Sequence, residues 1–251
     1  MREGRIIDLA WRVEAACRDA WPCPNETIRD GWLIRASGGP TRRTNSVNPL
    51  PGVRGDVGNV LDIARAIYAD LAQPLIFRVP AIADGLDAAL DAHGFGPAEA
   101  ETITLHARLD EEPRGKAGQA MAGPLSNEWI AARARLSGWD EPAMAVYRRM
   151  LGLIAGPVAF ASIATEGRID AVAYGVIAHG LLVIESVVTD EPLRGRGLAR
   201  RTVAALLDWA RDEGVAEACL QVQAGNAPAL ALYRRLGFGH ELYRYHYRRL
   251  P

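Results

Sequence analysis

Between residues 181 and 238 the chain reads strand, glycine-rich turn, helix, strand, Asn-capped helix, and few folds accommodate that succession. Leu181–Thr189 (LLVIESVVT) is β-branched and mostly apolar, as a buried strand requires. The polar turn DEPLRGRGLA follows. From Leu198 onward Ala199, Val203, Leu206, Leu207 and Ala210 recur at helical spacing, and Gly214 stands where a C-terminal cap belongs. Residues 218–222 (ACLQV) form a second, short strand. Asn226 then caps a helix with Pro228 in its first turn, Ala229, Leu232, Tyr233 and Leu236 on one face, and Gly237 at its end. A strand that passes through Arg194-Gly195-Arg196-Gly197-Leu198-Ala199 into a helix suits an anion. Glycines let the backbone approach, the first helical N–H groups are free, and the helix dipole favours negative charge. Arg194, Arg196, Arg200 and Arg201 add positive charge. The bland alternative is a tight turn with solvated arginines. Neither common nucleotide loop fits: there is no GK[ST], and a dinucleotide fingerprint needs a third glycine where Arg200 stands.

The pattern extends on both sides. Residues 127–136 and 141–154 read as helices, and 158–165 with 169–178 as a hairpin around Glu166-Gly167. Residues 244–249 alternate aromatic and polar and read as a closing strand. From about residue 124 the order is therefore α-α-β-β-β-α-β-α-β. The first part ends similarly: helix at 56–71, strand at 75–79, helix at 84–92, strand at 102–108. A shift of 143 aligns residues 49–96 with 192–239 without a gap and gives 10 identities, among them Gly94-Phe95-Gly96 on Gly237-Phe238-Gly239. We read two related units, residues 1–112 and 124–251, joined by a linker at 113–123 within the charged, then small-residue stretch 111–123 (EEPRGKAGQAMAG). The 251 residues suit two such units.

Together the two motifs of the second unit resemble the acetyl-coenzyme A site of the GNAT superfamily of N-acetyltransferases. Arg194, Gly197 and Ala199 match that family's [Q/R]-x-x-G-x-[G/A] motif, and Asn226 to Phe238 its fourth helix. The resemblance implies an α/β (α+β) fold: two GNAT-like mixed β-sheet domains flanked by helices, with a parallel strand pair splayed apart at the cofactor site of the second. It also implies roles. Backbone groups of Val187, Val188 and Thr189 would pair with the pantetheine arm as an added strand. N–H groups of Arg194, Gly195, Arg196, Gly197, Leu198 and Ala199 would hold the pyrophosphate. Asn226 would bond the pantetheine, Ala229 belongs to the same helix start, and Tyr233 would stand near the sulfur. The implied reaction is direct attack of an amine on the thioester. A Lys-like amine, with a pKa of about 10.4, costs roughly 4–5 kcal/mol to deprotonate at neutral pH, so a base is needed. Glu185, the lone acid in LLVIESVV, is the candidate base; alternatively it faces solvent or pairs with an arginine. Tyr233 would protonate the departing thiolate; alternatively it is a core aromatic. At the 143 offset Arg194, Gly197, Asn226, Tyr233 and Glu185 face Pro51, Arg54, Ala83, Leu90 and Arg42, so the first unit reads as a degenerate copy.

Residues 31–46 of that first unit gather Arg35, Arg42, Arg43 and Asn45 on one hairpin. Arginine forks suit a carboxylate or phosphate, so the hairpin is a candidate reader of an acidic group on the acceptor; the alternative is a polar interdomain or solvent face. The formal net charge of −1 argues against a whole-protein grip on nucleic acid or an anionic membrane. The N-terminus lacks the apolar core of a signal peptide, and the longest charge-free run, 150–165, is 16 residues broken by glycine and proline. Cys17, Cys23 and Cys219 form no CxxC and read as reduced cytoplasmic thiols, and the five histidines show no metal-ligand spacing. The expectation is a cytoplasmic, metal-free, acetyl-CoA-dependent N-acetyltransferase acting on a small-molecule primary amine. Its alternatives are a protein or peptide acetyltransferase and a catalytically silent coenzyme A-binding regulator.

Overall fold

The computed structural model describes residues 2–110 and 120–251. The first segment runs α1 (Arg2–Ala20), β1 (Glu26–Arg29), β2 (Trp32–Ala36), β3 (Asn45–Pro49), α2 (Val57–Asp70), β4 (Ile76–Pro80), α3 (Leu86–Ala92) and β5 (Glu99–Arg108). The second runs β6 (Met121–Gly123), α4 (Asn127–Ser137), α5 (Glu141–Leu151), β7 (Val158–Thr165), β8 (Arg168–Ala178) and β9 (Leu181–Thr189). It ends with α6 (Leu198–Asp212), β10 (Glu217–Gln223), α7 (Ala227–Arg234) and β11 (His240–Arg249). Side chains cap several of the helices: Asp56 Oδ1 accepts from Gly58 N at 2.7 Å, Ser126 Oγ from Trp129 N at 3.1 Å and Asp140 Oδ1 from Ala143 N at 3.0 Å.

All the strands belong to one mixed sheet, in the order β1-β2-β3-β4-β11-β5-β10-β9-β8-β7-β6. The helix-flanked mixed sheet is the fold class expected, and the strands of the two segments meet in it as one continuous sheet. The last strand of each segment has crossed to the other: β5 pairs antiparallel with β10, and β11 with β4, while β5 and β11 pair with each other at the centre. Setting aside the edge strand β6, the order reads the same from both ends once β1–β4 are matched to β7–β10 and β5 to β11. The 143-residue shift carries β4 onto β10 and β5 onto β11 within two residues. The expected closing strand exists, but it closes the first segment's sheet. Of the expected linker, residues 113–119 lie outside the described residues. Its end does not serve as a link: Met121–Gly123 pair with Phe160–Ser162 as a short edge strand.

Helices cover both faces of the sheet. On one face α1, α4 and α5 bury Ala10, Val13, Trp129 and Met144 against Val183, Cys219, Tyr243 and Tyr245. On the other, α6 and α7 bury Leu206 and Tyr233 against Ile184, Leu220 and Val222, and α2 and α3 bury Leu61 and Leu90 against Phe77 and Val79. Strand alternation makes this possible: Cys219 and Gln221 turn to the α1 face, Leu220 and Val222 to the α7 face. Although α1 opens the first segment, it packs on β8, β9 and β11, and Tyr174 Oη of β8 donates to the carbonyl of Ala20 at its end (2.9 Å). The two segments are therefore joined by strand pairing at the centre and by α1 across the face.

Candidate functional site

Strands β9 and β10 run parallel but pair only at Leu182, Val183 and Ile184 with Ala218, Cys219 and Leu220. Beyond that point each follows its other neighbour. β9 stays with β8 as far as Thr189, and β10 stays with β5 as far as Gln223. Ser186 marks the departure: its φ is +54°, and the β8–β9 register shifts beside it. The parting strands open a cleft of about 760 Å³.

The cleft walls carry most of the residues that the sequence singles out. Val187, Val188 and Thr189 line it from β9, and Arg194, Gly195, Gly197, Leu198 and Ala199 from the following turn. Asn226, Ala229 and Tyr233 line it from α7, and Glu185 lines it at its inner end. Arg196 is the exception: it is exposed and outside the wall. Gly195 and Gly197 have φ of +78° and +76°, values that a side chain resists. Gly197 is also the N-cap of α6, and no side chain caps that helix, so its first-turn N–H groups stay available to a ligand. Thr189 Oγ1 is buried in the wall with no hydrogen-bond partner, which a bound molecule would supply. Asn226 has a local task too, since its Oδ1 accepts from Ala229 N at 3.2 Å and caps α7.

At the inner end the chemistry concentrates. Tyr233 is buried, and burial first, then the Glu185 charge, pushes its phenol well above the usual range. It therefore keeps its proton throughout the physiological range. Glu185 is bound by both terminal nitrogens of Arg43, at 2.6 and 2.9 Å, across 142 residues of sequence. Arg43 lies over the Trp21 ring, 4.1 Å from its centroid. Burial alone would weaken the guanidinium's hold on its proton, but the carboxylate opposite raises it well above the ordinary arginine value. Beside the pair, Tyr147 and Ser186 hydroxyls meet at 2.9 Å, and Tyr245 Oη donates to Gln221 Oε1 at 3.1 Å.

Of the hairpin residues expected to read an acidic group, Arg43 alone reaches the cleft, and it is already paired. Arg42 lies outside the cleft wall, bonded to Glu99 at 2.9 Å and set over the Tyr247 ring. Asn45 is consumed by its own loop: Oδ1 accepts from Ser37 N and Gly38 N, and Nδ2 donates to the carbonyls of Gly39 and Thr41. Arg35 is buried, donating to Glu26 and to the carbonyls of Trp21 and Arg43, so it braces the backbone that presents Arg43. Sequence reasoning passed over Trp21 and Gln221. The glutamine inside the otherwise apolar run ACLQV was the available signal. Among the described residues no cluster of metal-ligating side chains occurs, and no helix is long and apolar enough to cross a membrane.

The family model described as "Probable histone acetyltransferase Rv0428c C-terminal" matches residues 11–248. The uncharacterized N-acetyltransferase YobR of Bacillus subtilis (strain 168) is 24% identical over 249 residues, which cover 96% of this chain and 99% of that protein. Among solved structures, a GCN5-related N-acetyltransferase from Kribbella flavida superposes with a TM-score of 0.69 at 18% identity, covering 98% of this chain and 95% of its own. A tandem GNAT protein from the clavulanic acid biosynthesis pathway superposes at 0.62 with 14% identity, covering 95% and 86%. These two share the fold.

Proposed function

Because the chain belongs to the Rv0428c C-terminal acetyltransferase family, and so is a GNAT-type N-acetyltransferase, we propose that it moves an acetyl group from acetyl-coenzyme A to a primary amine of a small molecule. The observation that carries this reading is the splayed β9–β10 pair with Tyr233 at its inner end and the uncapped, glycine-led start of α6 at its mouth. The second segment, residues 124–251, is the catalytic unit in this reading, and the first is a copy that has lost the cofactor residues.

Each group then has a task. The free edge of Val187, Val188 and Thr189 pairs with the pantetheine amides, and the N–H groups from Arg194 to Ala199 take the pyrophosphate. The amine nitrogen attacks the thioester carbonyl, the C–N bond forms and the C–S bond breaks. Tyr233 gives its proton to the sulfur as the C–S bond breaks and charge develops there. The amine's surplus proton goes to Glu185, and exchange with solvent then takes that proton from Glu185 and returns one to the Tyr233 oxygen, which closes the cycle. Arg43 occupies one lone pair on each Glu185 oxygen, and each oxygen keeps another. The buried free thiols Cys17, Cys23 and Cys219 suit a reducing, cytoplasmic setting.

The test is thiol release from acetyl-CoA with amines, amino acids, polyamines and lysine peptides offered singly. Turnover with a small amine above every peptide is the expected result. Peptide preference favours the protein acetyltransferase, and tight coenzyme binding without turnover favours a silent regulator. A second expectation concerns the loop. In Gly197→Ala an added Cβ meets nothing within 4 Å, so the cost comes from the left-handed backbone alone. At about 1–2 kcal/mol, KM for acetyl-CoA rises about tenfold while the acceptor KM stays put. An unchanged coenzyme KM removes the loop from the phosphate site.

A further inference from the structure

A second cavity, of about 360 Å³, lies on the α1 face of the sheet, between α1 and strands β2, β3 and β4. It meets the coenzyme cleft at Arg43 and Gln221, which line both. We propose that this cavity is the acceptor site and that the acceptor is a small amino carboxylate, an amino acid or a close analogue. The inference rests on the acetyl-transfer reading above.

Position comes first. The coenzyme cleft takes its helical wall from α6 and α7, on one face of the sheet. Glu185 and Gln221 turn to the other face, toward α1, at the point where β9 and β10 have parted. An amine held in the second cavity thus approaches the gap from the side opposite the coenzyme, past Arg43 and Gln221. The volume suits a small molecule, near the lower end of ligand pockets.

The wall chemistry sets the class. Its charged side chains are Arg18, Arg35, Arg43 and Arg78 against one acid, Glu14. The carboxylates that balance the other arginines, Asp19, Glu26 and Glu185, lie outside this wall. Glu14 itself is already neutralised by Arg78. Arg78 binds both its oxygens at 2.5 and 2.7 Å, and the Tyr243 hydroxyl donates to it as well. A second ammonium, as in a polyamine, would meet four guanidinium groups and, among the described residues of the wall, one acid that Arg78 already pairs. A carboxylate would meet donors. Arg18 is the best placed of them, because among the described residues its side chain bonds through Nε alone, to Asp19, and it is partly exposed. Trp11, Leu33 and Leu50 give the rest of the cavity an apolar lining for a side chain.

The experiment compares L-leucine and L-phenylalanine with isopentylamine and phenethylamine, which lack only the carboxylate, and with spermidine. The expected result is a kcat/KM at least tenfold higher for the amino acids. Arg18→Gln should bring that ratio within about threefold of unity without changing rates on the plain amines or KM for acetyl-CoA. Ala15→Phe, which fills the cavity from the half-buried face of α1, should raise the amino acid KM at least tenfold. Equal use of the plain amines, preference for spermidine, or an Arg18→Gln that slows every acceptor alike overturns the proposal. If no acceptor releases thiol, the transfer reading itself fails. Calorimetric titration of L-leucine with coenzyme A present then decides the cavity: binding that Ala15→Phe abolishes supports it, and no binding to the unaltered protein ends it.

Discussion

Tyr233→Phe should lower kcat by roughly 10²–10⁴-fold, the usual worth of a positioned proton donor, while KM for acetyl-CoA stays within about twofold. The ring stays in place, packed edge-on against Phe238 at 6.2 Å between centroids, so the cleft keeps its shape and only the proton is lost. The direction of the tyrosine's shift adds a pH signature. Burial and the nearby Glu185 hold the phenol above its ordinary range, so the donor form persists as pH rises. The kcat profile of the unaltered enzyme should therefore show no alkaline fall from this group below about pH 10, its unperturbed value. Stopped-flow thiol release measures both quantities. A phenylalanine variant with full kcat assigns the proton to water and leaves Tyr233 as a wall residue.

The parts of this molecule legible in its sequence are the local ones. Gly195 and Gly197 announce a backbone that only glycine adopts cheaply, and Asn226 announces a cap, because each acts within a few residues of itself. The repeat at offset 143 likewise announces paired elements. What it does not announce is the exchange of β5 and β11. A strand carries the same alternation whether it pairs with its own segment or with the other, so local pattern is blind to that choice. The helix α1 is a different case. Ala10, Val13, Cys17 and Ala20 have helical spacing, but mostly small residues on a charged helix give a weak stripe, and its partners β8 and β9 are far along the chain.

The same limit governs the site. Arg43 and Glu185 were each visible as candidates, one as a reader of the acceptor's acid and one as a base. Their contact was not, since it depends on the first segment's hairpin lying against the second segment's cleft. Pairing changes what the arginine does. It holds and orients the carboxylate, and in our proposal the reading of an acidic acceptor passes to Arg18 of α1, where sequence spacing pointed to nothing.

That pairing carries the largest stability effect expected here. The Glu185 side chain is 5% exposed and that of Arg43 23%, so Glu185→Gln strands a guanidinium in a largely dry site. Breaking a buried pair by removing one partner costs roughly 3–5 kcal/mol, whereas replacing both members with apolar residues is often neutral or better. Glu185→Gln should thus lower the unfolding free energy by about that amount, and Arg43→Met/Glu185→Leu should recover most of it, both read by urea denaturation. Activity should separate from stability. Under conditions where each variant is fully folded, both should transfer acetyl slowly, and Glu185→Gln most slowly at low pH, where free amine is scarcest and a base matters most. A double variant that regains stability and also regains rate would show that Glu185 takes no proton, leaving the pair a structural clasp between the two segments.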